Sequence, residues 1–228
     1  MEVNCFNTMK TTIITGASRG IGLATAKKFL AEGWFVIGTS TTGTIDISDK
    51  NFVAIQADYL KPKTIKKATD AIGRLEKKID VLVNNAAASF DDIGNPLEIK
   101  KLRDTLEVNI IGTADFTLQL LPLLNNPSHI INISSMASSL VDPIEDTWHT
   151  PAYKISKTAI NMFTRTMSKQ LRPDGITVSA LDPGWVKTDM GGEEGPRLPE
   201  EAAQDIYNLA LSKVETGRFW LEGKERGW

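Results

Sequence analysis

The 228-residue chain is poor in cysteine and histidine and nearly balanced in charge, with one Cys, two His and a net charge of −2. A lone Cys5 excludes a disulfide within the chain and fits a reducing, cytoplasmic setting. Two histidines and one distant cysteine build no metal-binding cluster, so no metal is expected. The charge balance supplies no basic face for nucleic acid or an anionic membrane surface. No apolar run approaches the roughly 20 residues of a membrane-spanning helix. Met1-Glu2-Val3-Asn4-Cys5 lacks the basic-then-apolar pattern of a secretory leader.

What is present is an alternation of short apolar runs and amphipathic stretches. Hydrophobic residues make up 41% and charged residues 24%, both globular values. Strands are expected at Thr11–Thr15, Trp34–Thr39, Phe52–Ala57, Val81–Val83, His129–Ser134, Ile176–Leu181 and Gly217–Leu221. Helices are expected at Ile21–Glu32, Pro62–Leu75, Glu98–Leu124, Ala152–Leu171 and Pro199–Lys213. Between the second and third strands lie only the twelve residues Ser40–Asn51, with room for at most a helical turn near Asp46–Lys50. Strands alternating with helices imply parallel pairing through crossovers, and the unbroken apolar runs imply a sheet covered on both faces. The expected fold is α/β, a Rossmann-type doubly wound parallel sheet of about seven strands. Residues 1–9 read as an N-terminal extension and 10–228 as a single domain.

Thr15-Gly16-Ala17-Ser18-Arg19-Gly20-Ile21-Gly22 follows the first strand and opens the first helix. Glycines there allow a tight turn and close approach to a pyrophosphate, which the helix N-terminus then favours. The spacing is G-x-x-x-G-x-G, so the match rests on the strand–loop–helix context. Gly16, Ser18, Arg19, Gly20, Ile21 and Gly22 are the expected cofactor contacts. After the second strand comes Thr39-Ser40-Thr41-Thr42, with no acid to hold a ribose diol. The hydroxyls of Ser40 and Thr41, together with Arg19, favour NADP(H), with NAD(H) as the other candidate. Asp58 either bonds the adenine amino group or serves as a turn residue.

Tyr153 and Lys157 stand four residues apart, on one face of the expected helix. An ammonium about 4 Å from a phenol favours the phenolate by roughly 4 kcal/mol at an effective dielectric of about 20. Lys157 is therefore expected to lower the pKa of Tyr153, making it a usable general acid or base. On an isolated Y-x-x-x-K the same spacing also fits an ordinary exposed helix face.

Taken in order, Thr15–Gly22, Asn84-Asn85-Ala86-Ala87, Asn109, Ser134-Ser135, Tyr153-x-x-x-Lys157 and Asp182-Pro183-Gly184-Trp185-Val186-Lys187-Thr188 resemble the short-chain dehydrogenase/reductase family. Pro183–Gly192 and the ending Gly217-Arg218-Phe219-Trp220 are similar to sniffer-type carbonyl reductases and C-factor-like proteins. The resemblance implies catalytic roles for Asn109, Ser135, Tyr153 and Lys157. Tyr153 would donate a proton to a carbonyl, Ser135 would polarise it, Lys157 would bond the nicotinamide ribose, and Asn109 would hold a water. It implies cofactor contacts by Asn85, Ala86, Ala87, Tyr153, Lys157, Pro183, Gly184, Val186 and Thr188. It further implies a small carbonyl or alcohol substrate and a homodimer or homotetramer built on the faces of Glu98–Leu124 and Ala152–Leu171. Two features depart from the family pattern: Ala87 stands where a glycine is usual, and Met136–Pro151 is an enlarged loop. That loop holds Trp148 and His149, and His149 is either a surface residue or a contact to a polar substrate. Trp185 either walls the site or packs beneath its loop, and Glu193, Glu194 and Arg197 read as the solvated surface of a short lid. A cofactor-binding regulatory or signalling protein with little catalysis is the alternative to an enzyme.

Overall fold

Strand β1 (Thr11–Ile14) is buried along its whole length, as a β-branched run at the centre of a two-sided sheet should be. A computed structural model describes residues 9–141 and 149–228 of the chain. Cys5 and Trp148 lie outside the described residues. Helix α1 (Gly20–Ala31) leaves the glycine-rich turn after β1, and β2 (Phe35–Ser40) returns parallel to it. Then follow β3 (Phe52–Gln56), α2 (Pro62–Gly73), β4 (Ile79–Asn84), α3 (Ile99–Leu106) and α4 (Thr113–Leu120). The remainder is β5 (Leu124–Ile133), α5 (Pro151–Leu171), β6 (Ile176–Asp182), α6 (Pro199–Leu211), β7 (Arg218–Leu221) and β8 (Lys224–Arg226).

The strands form one sheet in the order β3-β2-β1-β4-β5-β6-β7-β8. The order reverses between β1 and β4, so a crevice opens there at the carboxyl ends of the strands. In doubly wound sheets ligands bind in that crevice. One face is covered by α2, α4 and α5, with Ile65, Ile72, Phe116, Leu120, Met167 and Leu171 packed on Ile13, Leu82 and Ile130. The other is covered by α1 and α6, with Phe29, Ile206 and Leu209 on Val36, Val81 and Ile131. Side chains of this size contribute roughly 1.5–3 kcal/mol each on full burial.

Three expectations are corrected. The sheet has eight strands where about seven are expected, and it is not wholly parallel, because β8 pairs antiparallel with β7. The residues after Trp220 form a short hairpin whose turn, Glu222-Gly223, takes positive φ at both positions, a geometry that twists with the strands. Glu98–Leu124 is not one helix. It breaks into α3, a π-helical stretch Glu107–Gly112, α4 and a 3-10 turn at Leu121–Leu123. The next strand then begins at Leu124, five residues before the expected start at His129. The crossover between β2 and β3 is reduced as expected, with no helix over Asp46–Lys50, where Thr, Ser and Asp compete poorly for helix.

Candidate active site

Gly16 and Gly20 both take positive φ, at 65° and 54°. A Cβ on Gly22 would sit 2.2 Å from the carbonyl oxygen of Gly16 and 2.5 Å from Asn85 Nδ2. The loop therefore closes on itself around bare backbone, a cradle that any side chain at Gly22 would fill. Asn85 secures it from β4, donating through Nδ2 to the carbonyls of Thr15 (2.8 Å) and Gly16 (3.2 Å). Thr15 Oγ1 in turn accepts the backbone N–H of Asn85 and Ala86. Ala87 follows, half-buried. Ser18 and Arg19 are exposed, Ile21 is half-buried, and Arg19 lies 3.3 Å from Asp189 across the mouth of the loop. Ser40 turns its hydroxyl to Gly43 N and Thr44 O, while Thr41 is exposed. Asp58 accepts from Leu60 N and pairs with Lys61 at 2.8 Å, the bonding of a turn residue.

Helix α5 turns an unusually polar stripe inward: Tyr153, Ser156, Lys157, Asn161, Thr164 and Ser168 are all buried. Lys157 Nζ donates to the carbonyl of Ile133 at 2.8 Å and lies 5.5 Å from the centre of the Tyr153 ring. Ser135, two residues past β5, caps a 3-10 turn by accepting the N–H of Ala137, and its hydroxyl acts on the Tyr153 phenol. The turn is pinned to α5 by Ser134 Oγ donating to Asn161 Oδ1 and Asn161 Nδ2 donating to Ser138 Oγ.

The expected depression of the Tyr153 pKa is not what the structure produces. Burial pushes the phenol up to about 12, against a lesser downward pull from Ser135, and the Asp182 charge adds to the rise. Burial also pushes Lys157 down to about 8, with Asp182 opposing. Both shifts share one cause. Removing a group from water disfavours its charged form, the phenolate of one and the ammonium of the other.

Asn109 sits in the π-helical stretch, a distortion frequent at functional sites. Its side chain exchanges two hydrogen bonds with the backbone of Ala88 and donates to Ser156 Oγ at 2.9 Å. Ser156 then donates to the carbonyl of Tyr153. Asn109 thus ties the segment after β4 to the turn of α5 that bears Tyr153.

After β6, Pro183 is buried, Gly184 takes φ 75° and Val186 is buried. Thr188 closes toward the glycine loop, its methyl 3.3 Å from where a Cβ on Gly20 would stand. Trp185 is half exposed and donates through Nε1 to Gly191 O. Arg197 is not a solvated lid residue. Its guanidinium donates to Pro183 O at 2.7 Å and to Asp205 of α6 at 2.6 Å. Glu193 and Glu194 are exposed, Glu193 pairing with Lys187, and His149 is exposed.

Asp91 escapes the sequence reading, and Asn84 enters it only as part of a motif, with no role of its own. Asp91 accepts the backbone N–H of Ala152 and Tyr153, and Asn84 joins Thr117 to Asn132 and through it Thr164 beneath the site. Among the described residues there is no group of three His, Cys, Asp or Glu able to hold a metal, and no helix long and apolar enough to cross a membrane.

A doubly wound sheet with a glycine cradle at its switch point is the architecture of a dinucleotide-binding domain. The sequence model of the short chain dehydrogenases matches residues 10–198, and the chain belongs to that family. It is 27% identical to carbonyl reductase (NADPH) 1 of Mus musculus, over 95% of this chain and 97% of the relative. It is 31% identical to 3-oxoacyl-(acyl-carrier-protein) reductase FabG of Aquifex aeolicus, over 92% and 84%. Among solved structures it resembles the NADPH-bound carbonyl reductase from chicken fatty liver, with a TM-score of 0.88 and 30% identity over 96% of this chain and 94% of that one.

Proposed function

We propose that the protein is an NADPH-dependent reductase of a carbonyl compound, with Tyr153 as the proton donor. The observation that carries this reading is the burial of Tyr153 and Lys157 together on one face of α5, the ammonium 5.5 Å from the ring centre, with Ser135 acting on the phenol. The names of its relatives, carbonyl reductase (NADPH) among them, support the cofactor and the class of reaction. The cradle of Gly16, Gly20 and Gly22 fits a pyrophosphate, since bare backbone lines it where side chains would intrude. Arg19, exposed beside it, is suited to the 2′-phosphate. Bound there, the dinucleotide supplies the hydride.

The chain's own groups supply the rest. A phenol with a pKa of about 12 holds its proton at neutral pH and is a donor in the reductive direction. Ser135 orients the carbonyl oxygen beside that proton and stabilises the charge developing on it. Lys157, fixed on Ile133 O, would bond the ribose of the cofactor. Asn109 holds the helix turn bearing Tyr153. Exposed Ile111, Leu118, Ile155 and Met162 give the outer helix faces an apolar character suited to self-association, which light scattering would measure.

The test is oxidation of NADPH at 340 nm against a panel of aldehydes, ketones and diketones, with the Tyr153→Phe variant beside the native protein. The variant should lose about 10²–10⁴-fold in kcat while keeping NADPH affinity. Cofactor binding without turnover of any carbonyl would favour a regulatory protein instead.

A further inference from the structure

Asp182 is the last residue of β6 and is 2% exposed. A carboxylate so deeply buried needs compensation. Its Oδ1 accepts the N–H of Gly184 at 2.9 Å, and its Oδ2 lies 2.7 Å from Arg226 Nη1. Arg226 is the last residue of β8, in the antiparallel hairpin that closes the sheet. Its guanidinium rests 5.0 Å from the centre of the Phe219 ring.

The register locates this pair against the reacting groups. Ile133 pairs with Leu181, so Ser134 and Asp182 occupy equivalent places one residue on, and both point to the opposite face from that pair. That is the face covered by α5, because Ser134 bonds Asn161 of α5. Ile133 is also the residue whose carbonyl holds Lys157, and Ser135 comes two residues later. Asp182 therefore stands beside the strand end that carries Ser135 and anchors Lys157.

We propose that Asp182 and Arg226 are positioning residues for proton transfer, the arginine offsetting the field that the buried carboxylate exerts on Tyr153 and Lys157. The inference rests on Tyr153 being the proton donor. Among the described residues, the charged and titratable groups acting with Asp182 are Tyr153 and Lys157 from α5, Arg197 from the segment after β6, and Arg226 from β8. Asp205 of α6 and Glu222 of the hairpin turn stand behind Arg197. Asp91 stands at the start of α5. The Asp182 charge acts on Tyr153 and Lys157 in one direction, disfavouring loss of a proton from each. Arg226 and Arg197 act on Asp182 in the opposite sense, favouring its ionised form.

A hairpin clamp that merely stabilises the fold and a charge that tunes the site differ in sign. Asp182→Asn keeps the acceptor for Gly184 and removes the negative charge. Arg226→Gln keeps the carboxylate and removes its counter-charge. Both should lower the melting temperature. The pH profile of kcat for carbonyl reduction should instead move in opposite directions. Its alkaline limb should shift to lower pH in Asp182→Asn and to higher pH in Arg226→Gln, each by roughly half a pH unit or more. The signs are the same whether Tyr153 or Lys157 governs that limb. Arg226→Lys, which retains the charge, should keep the native midpoint, and it serves with Asp182→Asn should Arg226→Gln fail to fold. Unmoved profiles in Asp182→Asn and Arg226→Gln, or shifts of the same sign, overturn the inference, as does a displaced profile in Arg226→Lys. Tyr153→Phe separates the two levels. If it retains activity, the reading of Tyr153 fails. If it is inactive while Asp182→Asn keeps the native profile, only the role of the ion pair fails.

Discussion

The carboxylate of Asp91 accepts the backbone N–H of Tyr153 at 2.9 Å and that of its neighbour Ala152 at 3.1 Å. Helix α5 begins with Pro151, which has no N–H to satisfy. Lys154 N donates to Thr150 O, so Asp91 completes the first turn from a different part of the chain. The cap places a negative charge at the helix N-terminus and fixes the backbone of the proposed proton donor.

Asp91→Ala should therefore cost more than a surface substitution. Loss of a cap is worth about 1–2 kcal/mol, or a fall of a few degrees in melting temperature for a chain of this size. A kcat loss of roughly tenfold with little change in KM for NADPH is expected if the turn bearing Tyr153 loosens. Asp91→Asn, with one acceptor oxygen, should lie between. Calorimetry and steady-state kinetics check both, and native kcat in Asp91→Ala would remove Asp91 from the site.

Cofactor selectivity tests the glycine loop. Arg19 pairs with the exposed Asp189 at 3.3 Å, and so can turn to a phosphate at little cost. Arg19→Ser should raise KM for NADPH by about tenfold or more, since charge-assisted bonds to phosphate are among the stronger ones. KM for NADH should hardly move. Equal effects on both cofactors would place the 2′-phosphate elsewhere.

Gly22→Ala probes the cradle itself. The added carbon would stand 2.2 Å from a backbone oxygen, which cannot yield without moving the loop. The variant should lose NADPH binding by fluorescence titration and melt earlier than the native protein. Unchanged affinity would show that the loop does not hold the cofactor.

His129 predicts an acid sensitivity unconnected with catalysis. It is 6% exposed, its Nε2 is 2.9 Å from Ser179 Oγ, and burial pushes its pKa down to about 4. A histidine favoured neutral in the fold contributes stability that is present above its unfolded pKa of about 6.5. That stability is lost as pH falls from about 6.5 toward 4, by at most about 3 kcal/mol. His129→Gln should flatten this part of the stability curve in denaturant titrations at several pH values. An unchanged slope would mean that other groups govern it.

Where local rules decide the outcome, the sequence was readable. The glycine loop after β1, the strand runs and the four-residue spacing of Tyr153 and Lys157 all depend on neighbours in the chain. The Glu98–Leu124 stretch was not, because its apolar spacing is compatible with an unbroken helix. The break at Glu107–Gly112 coincides with buried Asn109 reaching Ala88 and Ser156, partners far away in sequence. The second antiparallel strand of the hairpin was missed for a similar reason. Lys224–Arg226 has no apolar run, and β8 forms as an edge strand against β7.

The order of the motifs alone was enough to identify a doubly wound α/β chain of the short-chain dehydrogenase family and to single out Ser135, Tyr153 and Lys157. Only the tertiary structure decided the sign of the pKa shift on Tyr153, the cap supplied by Asp91 and the pairing of Asp182 with Arg226. The physical reason is one of range. Turn geometry and helical spacing are short-range properties of the chain, whereas desolvation and the compensation of buried charge depend on which distant segments close over a group.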